Sequence, residues 1–224
     1  MTNCCNNKVT KGFTSKSIIV DGEEIKYVVY VPWVYDPQMP MPMIVFLNGM
    51  GECGTDGLKQ LGVGLGTAVI LDAEKWPFII VFPQKQKHDI DWEDQENIVI
   101  AALDAARNEY NIDESRIYLT GISQGGHGTW AIAARHTDLF AAIAPVCGWG
   151  DAEMARELTE MPTWIFHGEA DSVIPLNAST SMYEHIKAAG GSPRLTTYPG
   201  VDHNSWDNAY RNEDLAEWFL KHKK

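Results

Sequence analysis

The sequence predicts an α/β fold built on a mostly parallel, doubly wound sheet with helices on both faces. Three observations predict it. Short apolar, β-branched runs alternate with helical stretches along the chain. One such run passes through Gly121-Ile122-Ser123-Gln124-Gly125 directly into a helix-forming segment. Only 16 residues, 147 to 162, separate the strand ending at Val146 from the one starting at Thr163, which leaves no room there for a second domain.

The elements follow in order. Residues 1–15 read as a flexible N-terminal segment, and the whole of 1–224 as one domain. Ser17–Val20 and Ile25–Val31 form an antiparallel pair across an Asp21-Gly22 turn. Pro32–Pro42 is a proline-rich connection. Met43–Leu47 is wholly apolar, as buried parallel strands are. A loop with Gly49, Gly51, Gly54 and Gly57 comes next, then a strand over Phe78–Phe82. Glu93–Tyr110 is predicted helical, with Ile98, Ala101, Ala102 and Ala105 on its apolar face. Strand Ile117–Thr120 leads through the glycine-flanked serine into helix Gly128–His136. Strands Ala141–Val146 and Thr163–Phe166 follow. Helix Leu176–Ala189 is stopped by Gly190-Gly191. Strand Leu195–Tyr198 and an amphipathic helix over Asp214–His222 complete the chain.

Composition narrows the class. The chain has 224 residues, 45% hydrophobic and 21% charged, which excludes a disordered or collagen-like chain. Its net charge of −12 disfavours nucleic acid and anionic membranes as partners. Four cysteines, Cys4, Cys5, Cys53 and Cys147, make no disulfide framework. Residues 1–17 hold no apolar stretch of the secretory type, and no apolar run is long enough to span a membrane. These features predict a reducing, cytoplasmic setting.

The chemistry lies at the ends of the strands. G-x-S-x-G between a strand and a helix is the signature of a nucleophile elbow, a strained turn on which small neighbours let the backbone fold back. Ser123 is therefore the candidate nucleophile. A serine needs a base, and the base an orienting acid, in the chain order Ser, acid, His. Asp171, just past the strand Thr163–Phe166, is the candidate acid, with Glu169 its rival; His203, just past Leu195–Tyr198, is the candidate base. The backbone N–H groups of Gln124 and Met50 are the candidate oxyanion donors. His127 packs or lines the pocket, and Trp92, Trp149 and Trp206 are candidate pocket walls. His167 supports the acid loop. No His/Cys spacing suggests a metal, and no cofactor is called for. Gly49-Met50-Gly51-Glu52-Cys53-Gly54 also fits G-x-G-x-x-G, but no acid ends the next strand, which speaks against a dinucleotide site.

Phe46 to Thr55, Gly121 to Trp130, Phe166 to Asp171 and His203 to Trp206 together resemble the small serine esterases of the α/β-hydrolase superfamily, in the phospholipase/carboxylesterase and prolyl-oligopeptidase-like esterase group. The resemblance covers about Tyr27–Leu220. It implies an α/β-hydrolase fold with Ser123, Asp171 and His203 as triad and Met50 and Gln124 as oxyanion hole. Such relatives usually carry His-Gly where this chain has Asn48-Gly49, and a lid after the strand that ends here at Val146. The short link here implies no cap domain and an open pocket. The expected activity is hydrolysis of short-acyl or aryl esters, without metal or nucleotide. The alternatives are a carbohydrate-side acetyl or feruloyl esterase, and a silent binding protein on a hydrolase scaffold.

Overall fold

The computed structural model describes residues 9–224. Cys4, Cys5 and the first eight residues of the segment read as flexible lie outside the described residues. Among the described residues, eight strands form one sheet: β1 (Gly12–Val20), β2 (Glu23–Val31), β3 (Met41–Leu47), β4 (Ile79–Pro83), β5 (Ile112–Ile122), β6 (Ala142–Val146), β7 (Trp164–Gly168) and β8 (Arg194–Tyr198). Their order is β1-β2-β4-β3-β5-β6-β7-β8. β2 runs antiparallel to β1 and β4; β3 to β8 are mutually parallel. The hairpin turn falls where expected, with φ +52 at Asp21 and +84 at Gly22, the left-handed pair that a two-residue turn requires. β1 starts five residues before the expected Ser17, so Gly12–Ser15 is strand, not flexible segment: it pairs with Val28–Val31 of β2.

Among the described residues, seven α-helices cover the sheet. α2 (Glu96–Glu109), α3 (Gln124–Arg135), α4 (Ala152–Glu157) and α5 (Asn177–Ala188) pack on one face. α1 (Leu65–Leu71), α6 (Trp206–Arg211) and α7 (Leu215–Leu220) pack on the other. β3 feeds both cores, Met43, Val45 and Leu47 to one and Ile44 and Phe46 to the other, which is why its sequence does not alternate. The buried stripe of α2 is Ile98, Val99, Ala102, Leu103 and Ala106; Ala101 and Ala105, expected in it, sit at its half-exposed edge because Val99 and Leu103 bury more apolar surface. α2 starts three residues later than expected, since Trp92–Gln95 forms a 3₁₀ turn. α5 ends where Gly190 adopts φ +99 and Gly191 N–H donates to Ile186 O at 2.9 Å.

The link from β6 to β7 carries only the six-residue α4, whose N-terminus is capped by Asp151 Oδ1 accepting from Glu153 and Met154 N–H. No separate cap is built there. Among the described residues, no helix is long and apolar enough to cross a membrane.

Candidate active site

Ser123 sits between β5 and α3 with φ +53 and ψ −118, a conformation that costs a side-chain-bearing residue of order 1–3 kcal/mol. The surroundings over-determine it. Ser123 N–H donates to Val146 O at 2.9 Å, and Ser123 O accepts from His127 N–H at 3.0 Å. A Cβ on Gly125 would lie 2.1 Å from Leu47 O, and one on Gly121 would lie 2.3 Å from Gly125 O. The glycines are required because the backbones of β3, β5 and α3 meet there with no space for a side chain.

β7 and β8 bring the other two groups to the same rim. His203 Nε2 lies 2.9 Å from Ser123 Oγ, and His203 Nδ1 lies 2.8 Å from Asp171 Oδ2. The Asp171 side chain is fully buried, while His203 keeps 18% of its side chain exposed. Asp171 Oδ1 accepts from Val173 and Ile174 N–H at 2.9 and 2.8 Å. Those bonds aim the other oxygen at the imidazole. Glu169 points elsewhere, accepting from the Thr197 hydroxyl at 2.8 Å.

His167 lies beneath the acid, with Nε2 2.8 Å from Ile174 O and 3.2 Å from Asp171 Oδ2, and Nδ1 2.7 Å from Ser179 Oγ. Burial pushes this imidazole below its ordinary value, favouring the neutral ring. Asp202 is a residue that sequence reasoning passed over. Its Oδ1 accepts from Ser172 N–H, Ser172 Oγ and His203 N–H at 2.7–2.9 Å, clamping the acid loop to the base loop. Those bonds hold its carboxyl below the usual range. An acid adjoining the candidate base was its only sequence signal.

The loop after β3 closes the site's other side. A Cβ on Gly49 would come 3.5 Å from Ser123 Cβ, so this loop lies against the elbow. Asn48 is buried; its Nδ2 donates to Gly49 O at 2.7 Å and its Oδ1 accepts from Lys85 N–H at 3.1 Å. Met50 opens a 3₁₀ turn and Gln124 opens α3. The first N–H groups of such turns have no acceptor within the helix, so both are free to meet an anion. The Gln124 side chain turns away, its Nε2 3.2 Å from Asp91 Oδ1.

One pocket-wall expectation is corrected, and His127 takes the packing alternative. Trp92 is wholly buried: its Nε1–H donates to Asn48 O at 2.9 Å, and its side chain packs on Gly128. It is a pin between the loop and α3, because a buried indole N–H needs an acceptor and finds one in the loop's backbone. His127 is also buried, stacked on Trp149 with ring centroids 4.6 Å apart, its Nδ1 2.9 Å from Trp149 O and its Nε2 3.4 Å from Glu93 Oε2. It supports Trp149 through this stack and hydrogen bond. Trp149 itself is half-buried, and Trp206 is half-buried and edge-on to His203, with centroids 5.5 Å apart.

Sequence spacing suggested no metal ligands, yet the fold gathers Cys147 beside Asp171 and His203, with one ligand atom from each within 4.8 Å of the others. Burial pushes the Cys147 thiol up to about 12. Cys53 and Cys147 are free thiols.

Comparison with known proteins gives this arrangement a context. Residues 91–221 match the model of a family described as PET hydrolase-like. The chain is 28% identical over 150 residues to a bifunctional acetylxylan esterase/xylanase of Neocallimastix patriciarum, covering 65% of this chain and 21% of that protein. It is 28% identical over 202 residues to poly(3-hydroxyalkanoate) depolymerase C of Paucimonas lemoignei, covering 81% and 45%. Among solved structures, a thermostable esterase superimposes with a TM-score of 0.85 at 32% identity, over 95% of this chain and 63% of that one. A ferulic acid esterase of Anaeromyces mucronatus shares the fold, with a TM-score of 0.69 at 18% identity over 92% and 90%. The chain spans less than half the length of the two curated relatives and less than two thirds of the thermostable esterase. Sheet order and neighbours together make this an α/β-hydrolase fold.

Proposed function

The chain belongs to the PET hydrolase-like family, and from that premise we propose that it is a serine carboxylesterase of short-acyl or aryl esters. The observation that carries the reading is the continuous chain Ser123 Oγ, His203, Asp171, with links of 2.9 and 2.8 Å, on a strained elbow. Ser123 Oγ attacks the ester carbonyl while His203 Nε2 takes its proton. Asp171 holds the ring in the tautomer with Nδ1–H and stabilises the imidazolium that forms. Met50 and Gln124 N–H groups receive the developing oxyanion. His203 then protonates the leaving alcohol, and water cleaves the acyl-enzyme by the same route. Of the candidate pocket tryptophans, Trp149 and Trp206, both half-buried, stay in this reading as walls for the substrate.

The small α4 link supports the short-acyl preference. Without an apolar cap, added methylenes stay partly in water and gain only part of the ~0.8 kcal/mol each would give when buried. A second reading, a carbohydrate-side acetyl or feruloyl esterase, is favoured by the acetylxylan and ferulic acid esterases among the similar proteins. The net charge of −12 supports a small ester, not a polyanion, as partner.

Ser123→Ala tests the assignment. We expect a fall in kcat on the order of 10⁶, loss of fluorophosphonate labelling and an unchanged fold by circular dichroism. Wild-type labelling of the variant refutes it. Rates on p-nitrophenyl esters from acetate to decanoate, beside methyl ferulate and acetylated xylan, then separate the two readings; a maximum at decanoate counts against both.

A further inference from the structure

Behind the His203–Asp171 pair lies a buried thiol that the ester chemistry does not use. Cys147 follows the last residue of β6 with φ +41, a left-handed conformation uncommon for a residue with a side chain. Its N–H donates to Phe166 O at 2.8 Å, and it is wholly buried. One ligand atom each of Cys147, Asp171 and His203 lies within 4.8 Å of the other two. Ser205, also buried, sets its side-chain hydroxyl beside this thiol. The three ligand types come from the ends of three neighbouring strands, β6, β7 and β8.

The geometry points to an inhibitory site for a thiophilic divalent cation, zinc or cadmium, held by Cys147 Sγ, His203 Nδ1 and an Asp171 carboxylate oxygen. Sulfur, imidazole nitrogen and carboxylate oxygen are the donors such a cation takes, at about 2.3, 2.0–2.1 and 2.0–2.2 Å. A thiolate and a carboxylate cancel the charge of the divalent ion, so the occupied site is neutral, as a buried site requires. His203, the exposed member, offers the way in by rotation of its ring.

Binding balances in one proton. In the resting arrangement Nδ1 faces Asp171 and Nε2 faces Ser123 Oγ. A cation at Nδ1 needs that nitrogen's lone pair, so the ring proton moves to Nε2. The Cys147 thiol proton leaves to solvent as the sulfur–metal bond forms. Nothing is oxidised or reduced. Nε2 now carries a hydrogen and no longer accepts the serine proton, so the base is switched off. Asp171 keeps its Oδ1 bonds to Val173 and Ile174, and the acid loop stays in place. Inhibition in this form rests on His203 being the base; cation binding does not.

The test uses the full chain and cadmium chloride in a non-chelating buffer. Equilibrium dialysis reads binding, and p-nitrophenyl acetate turnover reads inhibition. The expected result is one cation bound through Cys147 and a loss of turnover that a chelator reverses. Cys147→Ala keeps its turnover in cation-free buffer and needs at least ~100-fold more cadmium for half-inhibition, since even outer partners of metal ligands are worth 10–100-fold. Cys147→Ser behaves in the same way and keeps the inference testable if alanine destabilises the fold. A triple variant, Cys4→Ser, Cys5→Ser and Cys53→Ser, keeps the wild-type response. Equal inhibition of Cys147→Ser and wild type, or no cadmium retained by wild type, overturns the proposal. Fluorophosphonate labelling of cation-free protein tests the esterase reading alone. If labelling fails while dialysis still shows Cys147-dependent binding, the site stands and the enzyme reading falls.

Discussion

The elbow carrying Ser123 and the loop facing it, residues 48–57, meet at the same site but are held by different means. At the elbow, backbone packs on backbone: Gly121 and Gly125 lie where any Cβ would be 2.1–2.3 Å from a carbonyl oxygen. The loop is held mainly by side chains, alongside a backbone bond from Gly54 N–H to Lys85 O at 2.9 Å. Asn48 ties Gly49 to Lys85, Gln84 accepts from Gly57 N–H at 2.6 Å and donates to Glu52 O at 3.0 Å, and Trp92 reaches Asn48 O. Within this loop Gly51 has open space where its Cβ would be. Backbone packing admits one geometry or none, whereas side-chain ties can be exchanged one at a time. The nucleophile's position is therefore rigidly specified, and the oxyanion loop is the part that substitutions can tune.

That contrast is broken most severely at Gly125. Gly125→Ala should leave no measurable esterase turnover, because Leu47 O or the elbow must move. Overpacking of this kind costs about 1–3 kcal/mol or more, which lowers Tm by several degrees in a chain of this size. A thermal melt and a rate assay check both; a wild-type melt with wild-type rate would mean that the elbow relaxes cheaply.

Asn48→Ala should act on catalysis while sparing the nucleophile. It frees Gly49 O and leaves Lys85 N–H without its acceptor, costing about 1–3 kcal/mol of stability. If Met50 N–H shifts with the loop, kcat falls by about 10²–10³ with KM little changed. Fluorophosphonate labelling should persist at a reduced rate. A fall in KM-linked binding alone would place the loop's role in substrate docking.

A smaller effect should appear at His167, which supports the acid loop. Its folded pKa lies below the unfolded value of about 6.5. Its contribution to stability is therefore complete above about pH 6.5 and declines as pH falls from there towards the folded pKa. Tm should drop on acidification through this window, and less steeply in His167→Gln. Parallel acid limbs for the two proteins would assign the acid sensitivity to other groups.

Gly51→Ala should be nearly silent, within about 0.5 kcal/mol of wild type and with normal kcat. A large loss there would show the loop to be as tightly packed as the elbow.

The Asp21-Gly22 turn, the apolar β3 run and the serine between two glycines were legible because each depends on residues adjacent in sequence. Placing an acid and a histidine past the ends of successive strands was enough to mark Asp171 and His203, since parallel strands deliver their C-terminal ends to one rim. The short helices α1, α4 and α6 left a weaker trace, whereas the equally short α7 was legible from its amphipathic pattern. Trp92 differs from its expectation, and the alternatives for His127 stayed open, because neither residue's burial is a local property. Trp92 is inside because Gly128 opposes it and Asn48 O receives its N–H; His127 is inside because Trp149 lies flat on its ring.

Local chemistry was thus decided by the amino-acid order: which segments are strands, where the chain turns tightly, which side chains could attack, accept or donate a proton. The 2.9 Å contact between residues 80 apart, the Asp202 clamp, and the thiol of Cys147 behind the imidazole came only with folding. Backbone preference acts over a few residues, whereas distance and burial depend on which strands lie side by side in the sheet, and it is the packing of both its faces that sets them.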